Sequence, residues 1–222
     1  MPFLHHLKNK LFDIFLPRAC FVCKKSGTYF CRTCFGNLDA PHDEQHDLPA
    51  WIFPLKSYKN PALRNALWKL KYKGTQALAN DFGPHLYEGF LALYGEEELR
   101  IGGHTLYIVP IPLSRVRLRE RGYNQAELLA RALTRAGTPT DFVIADILRK
   151  TKNTEPQAKI KRRHNRLANM RDVFAVKPNT NVENAVIFLI DDIVTTGATL
   201  KDARRALLAS GASRVYAITV AH

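Results

Sequence analysis

The apolar positions of this chain fall into short unbroken runs separated by stretches of helical period. Leu106 to Ile111 (LYIVPI) and Val186 to Ile190 (VIFLI) have the length and composition of buried strands. Arg214 to Ala221 (RVYAITVA) reads as a last strand and Asp172 to Val176 (DVFAV) as a short one. Helical spacing appears in three places. Asn60 is placed to cap a helix with Pro61 in its first turn, Leu63, Leu67 and Leu70 at i, i+4 and i+7, and Gly74 as the stop. Lys69, Lys71 and Lys73 then belong in part to its exposed side. Asn124 to Ala136 forms a second helix ending at Gly137. Thr199 to Ser210 forms a third, with Leu200, Ala203 and Leu207 on one face and Gly211 after it. Strands apolar throughout, alternating with helices, predict an α/β fold: a doubly wound, mainly parallel sheet covered on both faces.

The first fifty residues break that pattern. Phe3, Leu4, Leu7, Leu11, Ile14 and Phe15 have roughly helical spacing, interrupted by Lys8, Lys10 and Asp13 and followed by no small-residue cleavage site. A helix laid on the protein's own core is expected there rather than a secretory signal. All four cysteines come next, as Cys20-x2-Cys23-x7-Cys31-x2-Cys34. Each pair can offer two thiolates to one ion, and the hairpin between them can complete a tetrahedron, so structural zinc is the expected occupant. Two disulfides are the competing account, disfavoured in the reducing compartment that a missing signal implies. His42 and His46 read as surface residues. Gly36 to Ala50 (GNLDAPHDEQHDLPA) is polar and acidic with two prolines and reads as a linker. The expected division is a helix and zinc knuckle over residues 1–45 and a larger domain over 46–222.

Composition excludes more than it assigns. The 222 residues are 46% hydrophobic and 24% charged, enough to build a core and too ordered in pattern for a disordered chain. No apolar run approaches the ~18–20 residues of a membrane span. Charge does change the picture. There are 33 Lys and Arg against 20 Asp and Glu, a net +13. Pro110 to Pro178 holds 16 of the cations and 6 of the carboxylates, so +10 of the excess lies there. Such a concentration points to polyanionic partners: nucleic acid, phosphorylated small molecules or an anionic surface.

One segment carries recognisable chemistry. Val186 to Leu200 reads VIFLIDDIVTTGATL: a buried strand ends in Asp191 and Asp192, and Thr195-Thr196-Gly197-Ala198-Thr199 leads into a helix. In a parallel sheet ligands gather at the carboxyl ends of strands. A loop entering a helix there aims N–H groups and a positive dipole at one spot, hydroxyls add donors, and glycine allows close approach. This is a phosphate cradle, and the adjacent carboxylates suit ribose hydroxyls or a Mg²⁺-bound group. Neither a G-x4-G-K-[ST] loop nor a strand followed by G-x-G-x-x-G is present, which disfavours a Walker-type nucleotide triphosphatase and a dinucleotide fold.

The run resembles the loop of type I phosphoribosyltransferases that binds 5-phosphoribosyl-1-pyrophosphate (PRPP). The resemblance implies ribose contacts from Asp191 and Asp192 and a 5′-phosphate held by Thr195, Thr196, Gly197, Ala198 and Thr199. Nearly the whole chain resembles the ComF family within that superfamily, including its GntX branch. The four cysteines, Leu70-Lys71-Tyr72 with Gly74, Val109-Pro110-Ile111-Pro112, Arg119 to Ala130 (RERGYNQAELLA), Pro156-Gln157, and Arg166, Asn169 and Phe174 carry it. Asn165 stands where many members have an acidic residue, and Lys159-Ile160 replaces a small residue and leucine, so the segment is more basic here. The resemblance implies a bacterial cytoplasmic protein of competence, DNA uptake and natural transformation, working with single-stranded DNA and with other competence or DNA-processing proteins.

Two further anion sites are expected. Pro112-Leu113-Ser114-Arg115, with Arg117, Arg119 and Arg121, follows a strand and suits a diphosphate bridged by Mg²⁺; by resemblance it is the pyrophosphate loop. Arg149 to Asn169 is basic, and Lys161, Arg162, Arg163 and Arg166 suit either a lid closing on substrate or contacts to nucleic-acid phosphates. The chain ends at His222, just past the last strand, so a hood over the acceptor site is expected from Trp51 to Gly103 or from the knuckle. Trp51, Tyr58, Trp68 and Tyr72 can stack on a base there or belong to the core. Two functions follow: transfer of ribose 5-phosphate from PRPP to an acceptor, or a nucleic-acid-binding module with PRPP as ligand. A glutamine-dependent amidotransferase is not the expected reading, since that resemblance covers only the PRPP domain and no glutaminase domain with a nucleophilic N-terminal cysteine is expected in these residues.

Overall fold

The computed structural model describes residues 18–41, 48–95, 106–137, 142–151 and 172–222. Their elements are α1 (Arg32–Gly36), β1 (Ile52–Lys56), α2 (Pro61–Tyr72), α3 (Leu78–Tyr94), β2 (Leu106–Pro110), α4 (Arg115–Arg121), α5 (Gln125–Ala136), β3 (Val143–Ile144), β4 (Leu148–Lys150), β5 (Phe174–Val176), β6 (Val186–Ile193), α6 (Ala198–Ala209) and β7 (Arg214–Ala221). The main sheet has the order β1-β7-β6-β2-β3 and every pair in it is parallel. Strand residues alternate between two apolar layers. Ile108, Phe188, Ile190 and Ile218 face α2, α3 and α5, while Val109, Ile187, Leu189 and Ala217 face α6. With both faces covered, the central strands are apolar throughout, the physical reason the sequence shows runs rather than alternation.

The helices form where the spacing places them. Asn60 caps α2, its Oδ1 accepting from the N–H groups of Ala62 and Leu63, and Leu63, Leu67 and Leu70 are fully buried. Asn124 caps α5 in the same way at Ala126. α3 and β1 were not foreseen. α3 carries Pro84 inside its seventeen residues, and β1 carries Pro54, signals that mask both elements. α3 crosses α5 closely, because a Cβ on Gly83 would sit 2.5 Å from the Ala132 carbonyl oxygen.

One strand lies elsewhere than the alternation suggests. β5 is outside the main sheet and pairs antiparallel with β4 in a two-stranded ribbon. The buried Asp202 of α6 fastens it, accepting from the N–H groups of Asp172, Val173 and Phe174 at 3.0, 2.8 and 2.9 Å. The ribbon therefore joins Thr151 and Asp172, the described residues on either side of 152–171. Lys161, Arg162, Arg163 and Arg166 lie outside the described residues, as do the first seventeen residues, His42 and His46.

The cysteine hairpin packs into the body of the protein. Phe30 and Phe35 are buried in the same core as α3, with ring centroids 6.2 and 5.5 Å from Phe82. Asp81 at the start of α3 accepts from the N–H groups of Tyr29 and Phe30 at 2.9 and 3.0 Å. The opening of the polar stretch is tied down too: the Lys56 ammonium donates to the carbonyls of Gly36 and Leu38.

Candidate functional site

β2 and β6 are neighbours, with Pro110 opposite Ile190, so the loops leaving them emerge side by side at the carboxyl edge of the sheet. This juxtaposition brings the two predicted anion loops and the carboxylate pair together. Pro112 to Ser114 is held at both ends. Ile111 N–H donates to the Ile190 carbonyl, and the Asn124 amide donates to the Ile111 carbonyl at 3.0 Å. Ser114 then caps α4, its hydroxyl accepting from Arg117 N–H. α4 has no buried residue, which leaves its five arginine and glutamate side chains at the solvent margin of the site.

The threonine loop is shaped by Gly197. Its φ of +71° is left-handed, and a Cβ would lie 3.1 Å from Ile52 Cδ1 and 3.3 Å from Leu48 Cδ2, so both backbone and space require glycine. Gly197 stands at the cap position of α6 with no side-chain cap bond. Thr195 and Thr196 are exposed and Thr199 is half-buried. The loop's start is anchored: Val194 N–H donates to Ala221, and the His222 ring nitrogen Nδ1 donates to the Val194 carbonyl at 2.9 Å. Thr196 Oγ1 accepts from Ala198 N–H at 3.4 Å, and a twelve-residue helix starting beside the exposed Thr195 and Thr196 can receive a phosphate.

The carboxylates are not equivalent. Asp192 is buried, and Lys71 at the end of α2 meets its Oδ2 at 2.9 Å. This corrects the expectation that Lys71 belongs to the exposed side of its helix: the Lys71 side chain is only 20% exposed. Periodicity cannot see this, because the last turn of α2 lies against the sheet edge and the long side chain turns inward. Burial works against the Lys71 ammonium, but Asp192, and Asp191 beyond it, outweigh burial and hold it above the ordinary lysine value. Burial first, and the neighbouring Asp192 charge second, push the Asp191 carboxyl up to about 8. Asp191 oxygen in turn accepts from Asp192 N–H at 2.8 Å.

Two expectations follow. Lys71→Ala leaves the buried Asp192 without its counter-charge, and a loss of about 3 kcal/mol in chemical unfolding is expected; an unchanged midpoint would show that the pair carries no such weight. The second concerns pH. The folded state keeps the Asp191 proton between the ordinary carboxylate value of 3.8 and about 8, whereas the unfolded chain does not. The stability tied to that proton is fully present below 3.8 and drains away as pH rises through about 8. Asp191→Asn removes the titration, so its melting temperature relative to the native protein should rise over that interval. Parallel melting curves for the two proteins would contradict this.

A cleft of about 800 Å³ opens on the β3 side of the Pro112–Arg115 loop. Pro112, Leu113, Ser114 and Arg115 line it with Arg149 and Lys150, while Asp191, Asp192 and the threonine loop are not among its walls. Lys150 is half-buried, and burial and the nearby Arg117 charge lower its pKa, with Asp191 opposing. A cation in that position is a natural partner for an anion bound in this cleft beside the Pro112–Arg115 loop.

The cysteines converge as the spacing requires. The Sγ atoms of Cys20, Cys23, Cys31 and Cys34 all lie within 4.8 Å of one another, and those of Cys23 and Cys31 are 3.7 Å apart. A tetrahedron with Zn–S bonds of about 2.3 Å has edges of about 3.8 Å, so the cluster fits zinc, and four thiolates leave no open position for catalysis. Burial raises the Cys20 thiol, but N–H donors from Cys31, Cys23 and Val22 outweigh it and bring it down to about 6.

The chain is similar to known proteins. The phosphoribosyl transferase domain family matches residues 118–222. Competence protein ComFC of Bacillus subtilis is 30% identical over 209 residues, covering 87% of this chain and 79% of that protein. The chain belongs to the ComF family. The matched phosphoribosyltransferase-like region holds the Asp191–Asp192 pair and the threonine loop, and the Pro112–Arg115 loop lies just before it. Competence protein F of Haemophilus influenzae is 31% identical over 110 residues, covering 49% of this chain and 46% of that protein. A hypoxanthine phosphoribosyltransferase of Staphylococcus aureus is 15% identical with a TM-score of 0.36, over 63% of this chain and 62% of that one, too distant to add weight. Among the described residues, no helix of this ComF protein is long and apolar enough to cross a membrane.

Proposed function

We propose that this ComF protein binds PRPP together with Mg²⁺ and binds single-stranded DNA, in the cytoplasm of a bacterium that takes up DNA. The observation that carries the first part is the pairing, at one sheet edge, of a strand-end carboxylate pair with an uncapped helix start behind Gly197. In this reading Thr195, Thr196, Gly197, Ala198 and Thr199 hold the 5′-phosphate, and Asp191 and Asp192 accept from the ribose hydroxyls. Pro112, Leu113, Ser114 and Arg115 take the diphosphate, with Lys150 and Arg117 supplying positive charge. Mg²⁺, bound with PRPP, would neutralise part of the diphosphate charge. Lys71, 2.9 Å from Asp192 Oδ2, orients that side chain to accept a hydrogen bond from a ribose hydroxyl.

The competence names of the relatives and the +10 excess between Pro110 and Pro178 support the DNA part. Lys161, Arg162, Arg163 and Arg166 serve in this reading as strand contacts or as a lid, and other competence or DNA-processing proteins are the expected partners. Fluorescence anisotropy of a labelled single strand should show binding that weakens steeply with salt; no binding at low salt would remove DNA from the proposal.

The same loops favour a second reading, transfer of ribose 5-phosphate to an acceptor with release of pyrophosphate. Developing positive charge on the ribosyl carbon would be stabilised by the Asp192 carboxylate, joined by Asp191 where it has lost its proton, and departing diphosphate by the basic loop. Pyrophosphate release from PRPP and Mg²⁺ across a panel of bases decides for it, and release no higher than background decides against it.

A further inference from the structure

The last turn of α2 presents an unusual surface. Tyr72 is 59% exposed and Trp68, one turn before it, is 45% exposed, with ring centroids 6.2 Å apart. The other two aromatics considered for this region behave differently: Trp51 and Tyr58 pack against the core. Isolated exposed aromatics are common, but these two share one patch and each carries a cation. The Lys73 ammonium lies 5.2 Å from the Trp68 ring centre, and the Arg121 guanidinium 4.9 Å from that of Tyr72, with its Nη2 donating to the Tyr72 hydroxyl at 3.4 Å. The patch borders the carboxylate site directly. Lys71, between the two rings in sequence, meets Asp192, and the Arg121 charge acts on Lys71. Tyr123 fixes the geometry by donating its hydroxyl to the Leu70 carbonyl.

We propose that Trp68 and Tyr72 form a stacking platform for an unpaired nucleobase of a single-stranded nucleic acid, on the lip of the Asp191–Asp192 site. Charge complementarity selects this occupant. From Lys56 to Gln76 the chain carries Lys56, Lys59, Arg64, Lys69, Lys71 and Lys73 and no Asp or Glu. An apolar protein partner would meet Lys73 and Arg121 seated on the two rings, whereas a strand offers phosphates to these cations and bases to the rings. Every base has a π-face, so the platform is tolerant of sequence. The arrangement runs from depth to surface as carboxylates, then Lys71 and Arg121, then the aromatic rings. It rests on the DNA-binding part of the proposed function and locates where a base meets the protein.

The chain has two tryptophans, so Trp51→Phe leaves Trp68 as the sole tryptophan emitter. In that background a short oligothymidylate should quench the tryptophan emission. Tyr72→Ala should weaken strand binding roughly tenfold, and Tyr72→Phe, which keeps the ring, should restore it. An abasic oligomer of equal length should bind more weakly and leave the emission unchanged. Thymidine monophosphate separates the two sources of a base: quenching at concentrations as low as those of the strand would assign the platform to free nucleotides, and quenching only at far higher ones to the strand. Strand binding seen by anisotropy with unchanged Trp68 emission and an unaffected Tyr72→Ala variant would overturn the platform while leaving DNA binding intact. Equal affinity for the abasic oligomer would overturn it as well. An absence of any strand binding by the native protein would end both.

Discussion

The Asp191→Ala/Asp192→Ala protein should show no measurable heat with PRPP and Mg²⁺ at concentrations that saturate the native chain. In the proposed reading both side chains accept from ribose hydroxyls: Asp192, ion-paired with Lys71, through a charge-assisted bond of about 1.5–3 kcal/mol, and Asp191, which keeps its proton up to about pH 8, through a neutral bond of about 0.5–1.5 kcal/mol. Losing both then weakens binding by at least about 30-fold. The substitution also strands Lys71, which held Asp192 at 2.9 Å. Circular dichroism and melting must therefore accompany the calorimetry, and Thr196→Ala supplies a second variant at an exposed loop position. If the native, zinc-loaded protein itself gives no heat, the loop serves another phosphate or none, and the DNA-binding reading leads. If the double variant binds as tightly as the native protein, the carboxylates have no part in ligand recognition.

Removing the metal from the cysteine cluster, by a strong chelator or by Cys31→Ala, should lower the melting temperature by about 10 °C. The reasoning is structural. The hairpin is not a detachable appendage, since Phe30 and Phe35 fill the core beside Phe82, and Phe35 stacks on His85 at 4.2 Å. Loosening aromatic side chains of this size costs about 3–5 kcal/mol. For a chain of this length each kcal/mol moves the midpoint by roughly 2–4 °C. Stability should return when zinc is added back to the chelated native protein and not to the variant. A protein that contains no zinc when purified, and whose melting is indifferent to chelator, would overturn the assignment.

Much of this was legible in the residues, for reasons that particular elements make plain. Val186 to Ile190 sits at the centre of the sheet with both faces buried, so its sequence had to be an apolar run, and Asp191 and Asp192 mark where the strand reaches the sheet edge. The caps at Asn60 and Asn124 were readable because a capping side chain bonds to a backbone two or three residues away, an interaction local in sequence. The cysteine cluster was readable because four ligands able to hold one tetrahedral ion need such spacing. β1 and α3 were hidden by Pro54 and Pro84, which an edge strand and a well-packed helix tolerate and a local pattern does not forgive.

What tertiary structure alone decided lies between segments distant in the chain. The sequence by itself determined the α/β class, the loops at the strand ends, the four thiols of one site and membership of a recognisable family. It could not show that Lys71 turns inward to Asp192, 121 residues later, or that Trp68 and Tyr72 stay outside while Trp51 and Tyr58 pack in. Nor could it show that Asp202 gathers the backbone of β5 into a ribbon apart from the main sheet. Periodicity records which face of an element is dry; the direction a long cation or ring takes at an element's end depends on which other element lies against it, and only the assembled sheet determines that.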